Sequence, residues 1–190
     1  MLKTIHDPDF EIKSSDLEFK YQEKLTAKLD ALDADFDQEI INEIVLWKVN
    51  RYAAFSSDTL GLLNQLSKSS QFDPKLTREI LRHLLNEKGI QLPMASTILR
   101  FKNPSIYQII DQRVYRFIYG NELKLSTTKN TKNIQQTIEL YLTYLSDLRE
   151  VAFKHNFQFE QADRILYEID KRVNKTIKLK NYGTTQLSDL

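Results

Sequence analysis

Apolar residues recur at three- and four-residue spacing along almost the whole chain, and strand-like alternation is hard to find. The expectation is an all-α protein. Ser15 or Asp16 opens a charged first helix through Leu17, Tyr21, Leu25 and Leu29. Asp35 or Asp37 caps a second, carrying Ile40, Ile41, Ile44, Val45 and Leu46. Ser57 opens a third with Leu60, Leu63 and Leu66, which ends in the loop 67–71. Asp73 followed by Pro74 is a cap and then a proline at the first helical position, so a helix with Leu76, Ile80, Leu84 and Leu85 starts there and stops at Gly89. After a tight turn at Lys88–Leu92, Pro93 opens a short helix through Ala95, Ile98 and Leu99, which Asn103-Pro104 ends. An apolar approach, IYQII, then delivers Asp111 to a helix that Gly120 terminates. The stretch 121–132 is the most loop-like in the middle of the chain. Two long helices, about 133–155 and 160–174, precede a basic and then polar tail.

Composition narrows the chemistry. A chain of 190 residues with 41% apolar residues can bury a core as one compact unit or two small lobes. The absence of cysteine excludes disulfides, cysteine-ligated zinc and iron–sulfur clusters. His6, His83 and His155 are widely separated and show no metal-ligand spacing, so no metal is expected. No apolar stretch approaches the ~20 residues that span a bilayer, and the start MLKTIHDPDFEIK has no signal-peptide core. The expectation is a soluble, intracellular (cytoplasmic) protein with no membrane partner.

The net charge of +1 argues at first against a nucleic-acid binder. It is a sum of opposites. Residues 1–47 hold twelve acids and five bases, whereas 48–190 hold fourteen acids and twenty-two bases. A surplus of positive charge in the longer part permits a local basic face, and the acids of the first quarter read as solvated helix surface.

Between Asp73 and Gly120 the pattern of helix, tight turn, helix and aspartate-led helix carries information. The run GIQLPMASTILRFKNPSIYQIIDQRVYRF resembles the helix-hairpin-helix and following aspartate segment of the DNA glycosylase superfamily, which includes endonuclease III, adenine glycosylase and 8-oxoguanine glycosylase. Gly89-Ile90 matches the first Gly-Val of the hairpin, Ala95 its helix alanine and Ile98-Leu99 its closing Ile-Leu. Asp111, Val114 and Arg116 match the Asp-x-x-Val-x-Arg that follows, without a gap. The match covers about residues 80–120.

The resemblance implies a two-lobed helical fold with an interlobe cleft. Lobe one would span about 35–110, including the hairpin at 80–102, and lobe two about 1–34 plus 111–190. It implies double-stranded DNA as partner, with a base flipped into the cleft. Free N–H groups of the hairpin (Lys88, Gly89, Ile90, Gln91) would hold a phosphate, helped by Lys102 and Arg113. Asp111 would stabilise positive charge on the sugar as the base leaves and help position water.

Departures from the family pattern sharpen this. Gln91 replaces the second hairpin glycine, and Leu92-Pro93 replaces a polar pair, so the phosphate-holding turn is altered. Pro93 stands where bifunctional members carry a Schiff-base lysine, which implies a monofunctional enzyme needing no cofactor. The cysteine count excludes the cluster-bearing branch.

Each candidate also has a plainer role. Asp111 before a helix is an ordinary N-cap worth about 1 kcal/mol. Trp47, Lys48 and Arg51 could stack a base and hold phosphates, but a lone Trp on an apolar helix is commonly core. Tyr107 and Tyr115 flank Asp111 and either line a base pocket or pack. Lys88, Lys102 and Arg113 are phosphate contacts or solvated surface. The expected function is therefore hydrolysis of an N-glycosidic bond in duplex DNA. The alternatives are a non-catalytic DNA-binding or protein-interaction module of the same fold, or a helical adaptor that never meets nucleic acid.

Overall fold

The computed structural model describes residues 22–32, 36–49, 53, 55–66, 71–126 and 128–179. The regular elements among these residues are all helices, and no strand occurs among them. The elements are α1 (Glu23–Asp30), α2 (Gln38–Lys48), α3 (Ser57–Gln65), α4 (Pro74–Asn86), α5 (Leu92–Lys102), α6 (Gln112–Tyr119), α7 (Thr131–Lys154) and α8 (Ala162–Val173), with a 3₁₀ turn at Phe159–Gln161. None of these helices is long and apolar enough to cross a membrane.

The chain divides into two compact units, Met1–Tyr52 and Ala53–Leu190. In the first, Asp37 caps α2 by accepting the Ile40 N–H at 2.9 Å. The expected caps of α1, Ser15 and Asp16, lie outside the described residues. Helix α2 carries no buried residue: Ile41, Val45 and Leu46 are all exposed. What ties it to α1 is largely polar. The Trp47 indole donates to the Thr26 hydroxyl at 2.9 Å, the Gln22 amide donates to the Trp47 carbonyl, and Lys28 pairs with Glu43 at 2.6 Å.

The second unit holds the core. Asp73 accepts the N–H groups of Lys75 and Leu76, Pro74 occupies the first turn, and α4 buries Ile80, Leu81, Leu84 and Leu85. Helix α4 ends at Asn86, earlier than Gly89, because Gly89 with φ of 79° belongs to the turn. Gly120 ends α6 in the left-handed region, as its position after the periodic run required. Asn130 caps α7 by accepting the Asn133 N–H at 2.8 Å. Helix α4 packs on α3, α5 and α7, and α6 lies along α8. Ile80, Leu84, Leu99, Ile110, Val114, Ile138, Tyr141 and Leu148 form the centre of this core.

Candidate functional site

The turn joining α4 to α5 is held from below and open above. The Ile90 N–H reaches back to the Glu87 carbonyl at 3.3 Å, and Gly89 in third position takes the positive φ that such a turn requires. A Cβ on Gly89 would meet nothing within 4 Å, so the turn is open at this glycine. Ile90 is buried as the foot of the turn, while Lys88, Gly89 and Gln91 are exposed. Gln91 precedes α5 without a side-chain cap bond, and Pro93 removes one N–H of the first helical turn.

Two anchors fix this turn. The Lys129 ammonium donates to the Glu87 carbonyl at 2.6 Å. The Glu87 carboxylate accepts from the Thr59 hydroxyl (2.6 Å) and from the Ser56 hydroxyl and N–H, at the start of α3. Those donors, the Thr59 hydroxyl foremost, hold its carboxyl below the usual carboxylate range.

The segment Tyr107–Ile110 is built in the opposite way. It is irregular and mostly buried, and beyond the Tyr107 N–H, which meets the Asn103 carbonyl, it has no ladder to satisfy its backbone. Side chains do that instead. The Tyr141 hydroxyl donates to the Gln108 carbonyl (2.9 Å) and the Tyr144 hydroxyl to the Ile109 carbonyl (2.7 Å). Asp163 accepts the Ile109 N–H at 3.1 Å, and the Ser96 hydroxyl accepts the Ile110 N–H at 3.2 Å. Burial pushes both tyrosine hydroxyls well above their ordinary pKa, so they remain neutral donors. Just upstream, Arg149 donates to the Ser105 and Ile106 carbonyls while lying over the Phe159 ring at 3.8 Å.

At the end of this segment stands Asp111, half-buried, capping α6 by accepting the Arg113 N–H at 2.7 Å. The plain capping role is therefore real. Beyond it, Arg116 makes a two-pronged contact with Asp170, Nε to Oδ1 at 2.8 Å and Nη2 to Oδ2 at 2.7 Å. Arg113 adds a longer bond to Asp170 Oδ2 at 3.3 Å, and the Asn174 amide a fourth at 2.7 Å. Burial opposes ionisation of Asp170, but the Arg116 and Asn174 bonds outweigh it and hold the carboxyl below its usual range.

The remaining sequence candidates fall in several places. Tyr107 is 1% exposed with its hydroxyl on Thr77 at 2.7 Å, so it packs in the core and does not line an open pocket. Tyr115 is half-buried, its ring 4.5 Å from that of Tyr119. The Lys102 ammonium donates to Asn64 at 3.1 Å, and the Arg113 guanidinium lies 5.7 Å from the Tyr167 ring as well as on Asp170. Trp47 is tied to Thr26, Lys48 is exposed on α2, and Arg51 lies outside the described residues. No group of residues suited to holding a metal ion occurs among the described residues.

The side chains that build the Asp111 surroundings include three that the sequence reading passed over, Ser96, Tyr141 and Tyr144, and two acids, Asp163 and Asp170, that on sequence alone are paired charges of an amphipathic helix. The signal for the last two was available. They lie two turns apart on α8, on the same face as Leu166, where an acid interrupts an apolar register. A cleft of about 290 Å³ runs along α6 from Gln112 through Arg116 to Gly120 and is closed by Leu123, Asn174 and Ile177. Comparison with protein-family models, curated proteins and solved structures finds no match to this chain.

Proposed function

We propose that this chain is a helix-hairpin-helix DNA-binding protein of the glycosylase type, with Asp111 as the catalytic carboxylate for hydrolysis of an N-glycosidic bond. The observation that supports it best is the mounting of Asp111. A half-exposed carboxylate ends an irregular buried segment whose backbone is held by four side chains, one short helix after an open glycine turn. In this reading the turn and Lys88 contact phosphate, and a flipped base reaches Asp111. As the bond from C1′ to the base nitrogen breaks, the Asp111 carboxylate stabilises the positive charge on the sugar. Water adds to C1′ and a proton passes to the departing base. Pro93 leaves no amine at the position where bifunctional members carry the Schiff-base lysine, so in this reading the reaction ends at base release. The two-lobed arrangement and its cleft are part of this proposal.

The test is base release from duplexes carrying a panel of damaged or mismatched bases. Asp111→Asn is the informative variant, because Asn caps a helix as well as Asp does and stability changes little. The expected outcome is a loss of ~100-fold or more in single-turnover rate with an unchanged melting temperature. No release by the native protein, or equal rates for the variant, would sink the enzyme reading.

A non-catalytic duplex-binding module is the second reading, favoured by Pro93 in the first turn of α5 and by a cleft that begins at Gln112 and does not include Asp111. Salt-dependent duplex binding without base release selects it.

A further inference from the structure

Asp163 and Asp170 are 3% and 0% exposed, and they occupy the buried face of α8 with Leu166 between them. They grip the chain on the two sides of Asp111. Asp163 takes the Ile109 N–H just before it, and Asp170 takes the guanidinium groups of Arg113 and Arg116 just after it. Arg113 is the link between the second grip and Asp111 itself. Its guanidinium is on Asp170 while its N–H is the donor that orients the Asp111 carboxylate. The Tyr144 hydroxyl completes the first grip from the other side of the same residue, on the Ile109 carbonyl.

Buried carboxylates are a poor way simply to fasten two helices. Apolar residues of similar size generally do as well or better, as Leu166 does on this same face. What an acid adds is direction: each hydrogen bond fixes an angle as well as a distance. Resting on the reading of Asp111 as the catalytic carboxylate, we propose that α8 is its positioning element and that Asp163 and Asp170 are positioning residues, neither of which touches substrate.

The experiment compares Asp163→Ala, Asp163→Asn and Leu166→Ala in the full chain, below the melting temperature of each. Asp163→Ala should lower kcat by roughly 10- to 100-fold with KM for the duplex changed by less than about twofold, since misplacing a reacting group affects the chemical step. Asp163→Asn keeps an acceptor for the Ile109 N–H and should recover most of that loss. Leu166→Ala weakens the same face without touching either grip and should leave kcat close to native. Equal losses for Leu166→Ala and Asp163→Ala overturn the proposal.

Amide exchange gives a readout that needs no activity. In Asp163→Ala, exchange at Ile109 and Arg113 should quicken far more than at Leu84 or Leu148, which are buried in the same core. Uniform quickening overturns the proposal. Arg113→Gln cuts the longer Asp170 bond and the Tyr167 ring contact while leaving Arg116 on Asp170, and serves where Asp170→Asn fails to fold, with the same expected loss in kcat. Should the native protein release no base from any duplex, the glycosylase reading fails on its own, and the exchange pattern still decides whether α8 orients Asp111.

Discussion

The turn 87–91 and the segment 107–110 are both irregular pieces of chain on either side of α5, and they solve the problem of backbone polarity in opposite ways. In the segment, the Gln108 carbonyl, both polar groups of Ile109 and the Ile110 N–H are each met by a side chain. In the turn, Lys88, Gly89 and Gln91 face solvent, and the N–H groups of Gly89 and Gln91 meet no protein acceptor among the described residues. Buried backbone must be paired, so the segment is fixed by the fold itself. Exposed backbone can wait for water or a ligand, so the turn is free to be contacted. The difference separates a mount from a contact surface, and it can be broken from either side.

The largest effect is expected on the mount. Arg116→Ala removes the two shortest guanidinium bonds from a carboxylate that is 0% exposed, leaving Asp170 with Arg113 and Asn174. A buried carboxylate left wholly unpaired costs ~3–5 kcal/mol, and because Arg113 and Asn174 stay on Asp170 the expected loss is about 2–3 kcal/mol. Urea unfolding followed by far-ultraviolet circular dichroism measures it. A loss under about 1 kcal/mol would mean that the pair is effectively solvated and the mount is not rigid.

A smaller effect is expected at the turn. Gly89→Ala places a Cβ in open space, so no clash arises, but φ of 79° strains any L side chain by about 1–2 kcal/mol. If the turn is a contact surface, the same variant should weaken duplex binding by more than its stability loss suggests, because the added methyl stands on the face a phosphate would approach. Fluorescence anisotropy at several salt concentrations separates the two. Unchanged affinity and unchanged salt slope would return the turn to a plain connector.

The legibility of these two regions in the sequence differs for a physical reason. The turn is written locally: Asp73-Pro74 starts one helix, Gly89 marks the positive φ and Pro93 starts the next, each within a few residues of what it controls. The helical class was legible in the same way, from period and caps. The mount is written non-locally. Asp163 and Ile109, or Asp170 and Arg116, are more than fifty residues apart, and nothing near either acid announces its partner. On sequence alone Asp163 and Asp170 are therefore ordinary charges on an amphipathic helix, and Tyr107 is equally a pocket wall or a packed ring, a choice its hydroxyl on Thr77 makes only in three dimensions. The exposed apolar face of α2 shows the same limit, since its period predicts a helix without saying what the face meets.

The smallest effect is visible only as a pH dependence, and it sets the foot of the turn against the mount. Glu87 has its carboxyl held below the usual carboxylate range by the Thr59 hydroxyl, the Ser56 N–H and the Ser56 hydroxyl. A carboxyl depressed by folding contributes its full stability above the unfolded value, about 4. That contribution is lost as pH falls through the lower folded value. Glu87→Gln removes the ionisable group, so the variant should be less stable than the native protein at pH 7, and the gap should close on acidification. Asp170 is depressed too, despite the burial that opposes it, so the Glu87→Gln variant itself still loses stability with acid. Thermal unfolding of both proteins between pH 7 and pH 3 reads this directly. A gap that stays constant across that range would show that Glu87 holds the start of α3 by shape alone, and that the turn is anchored chiefly by Lys129 on the Glu87 carbonyl.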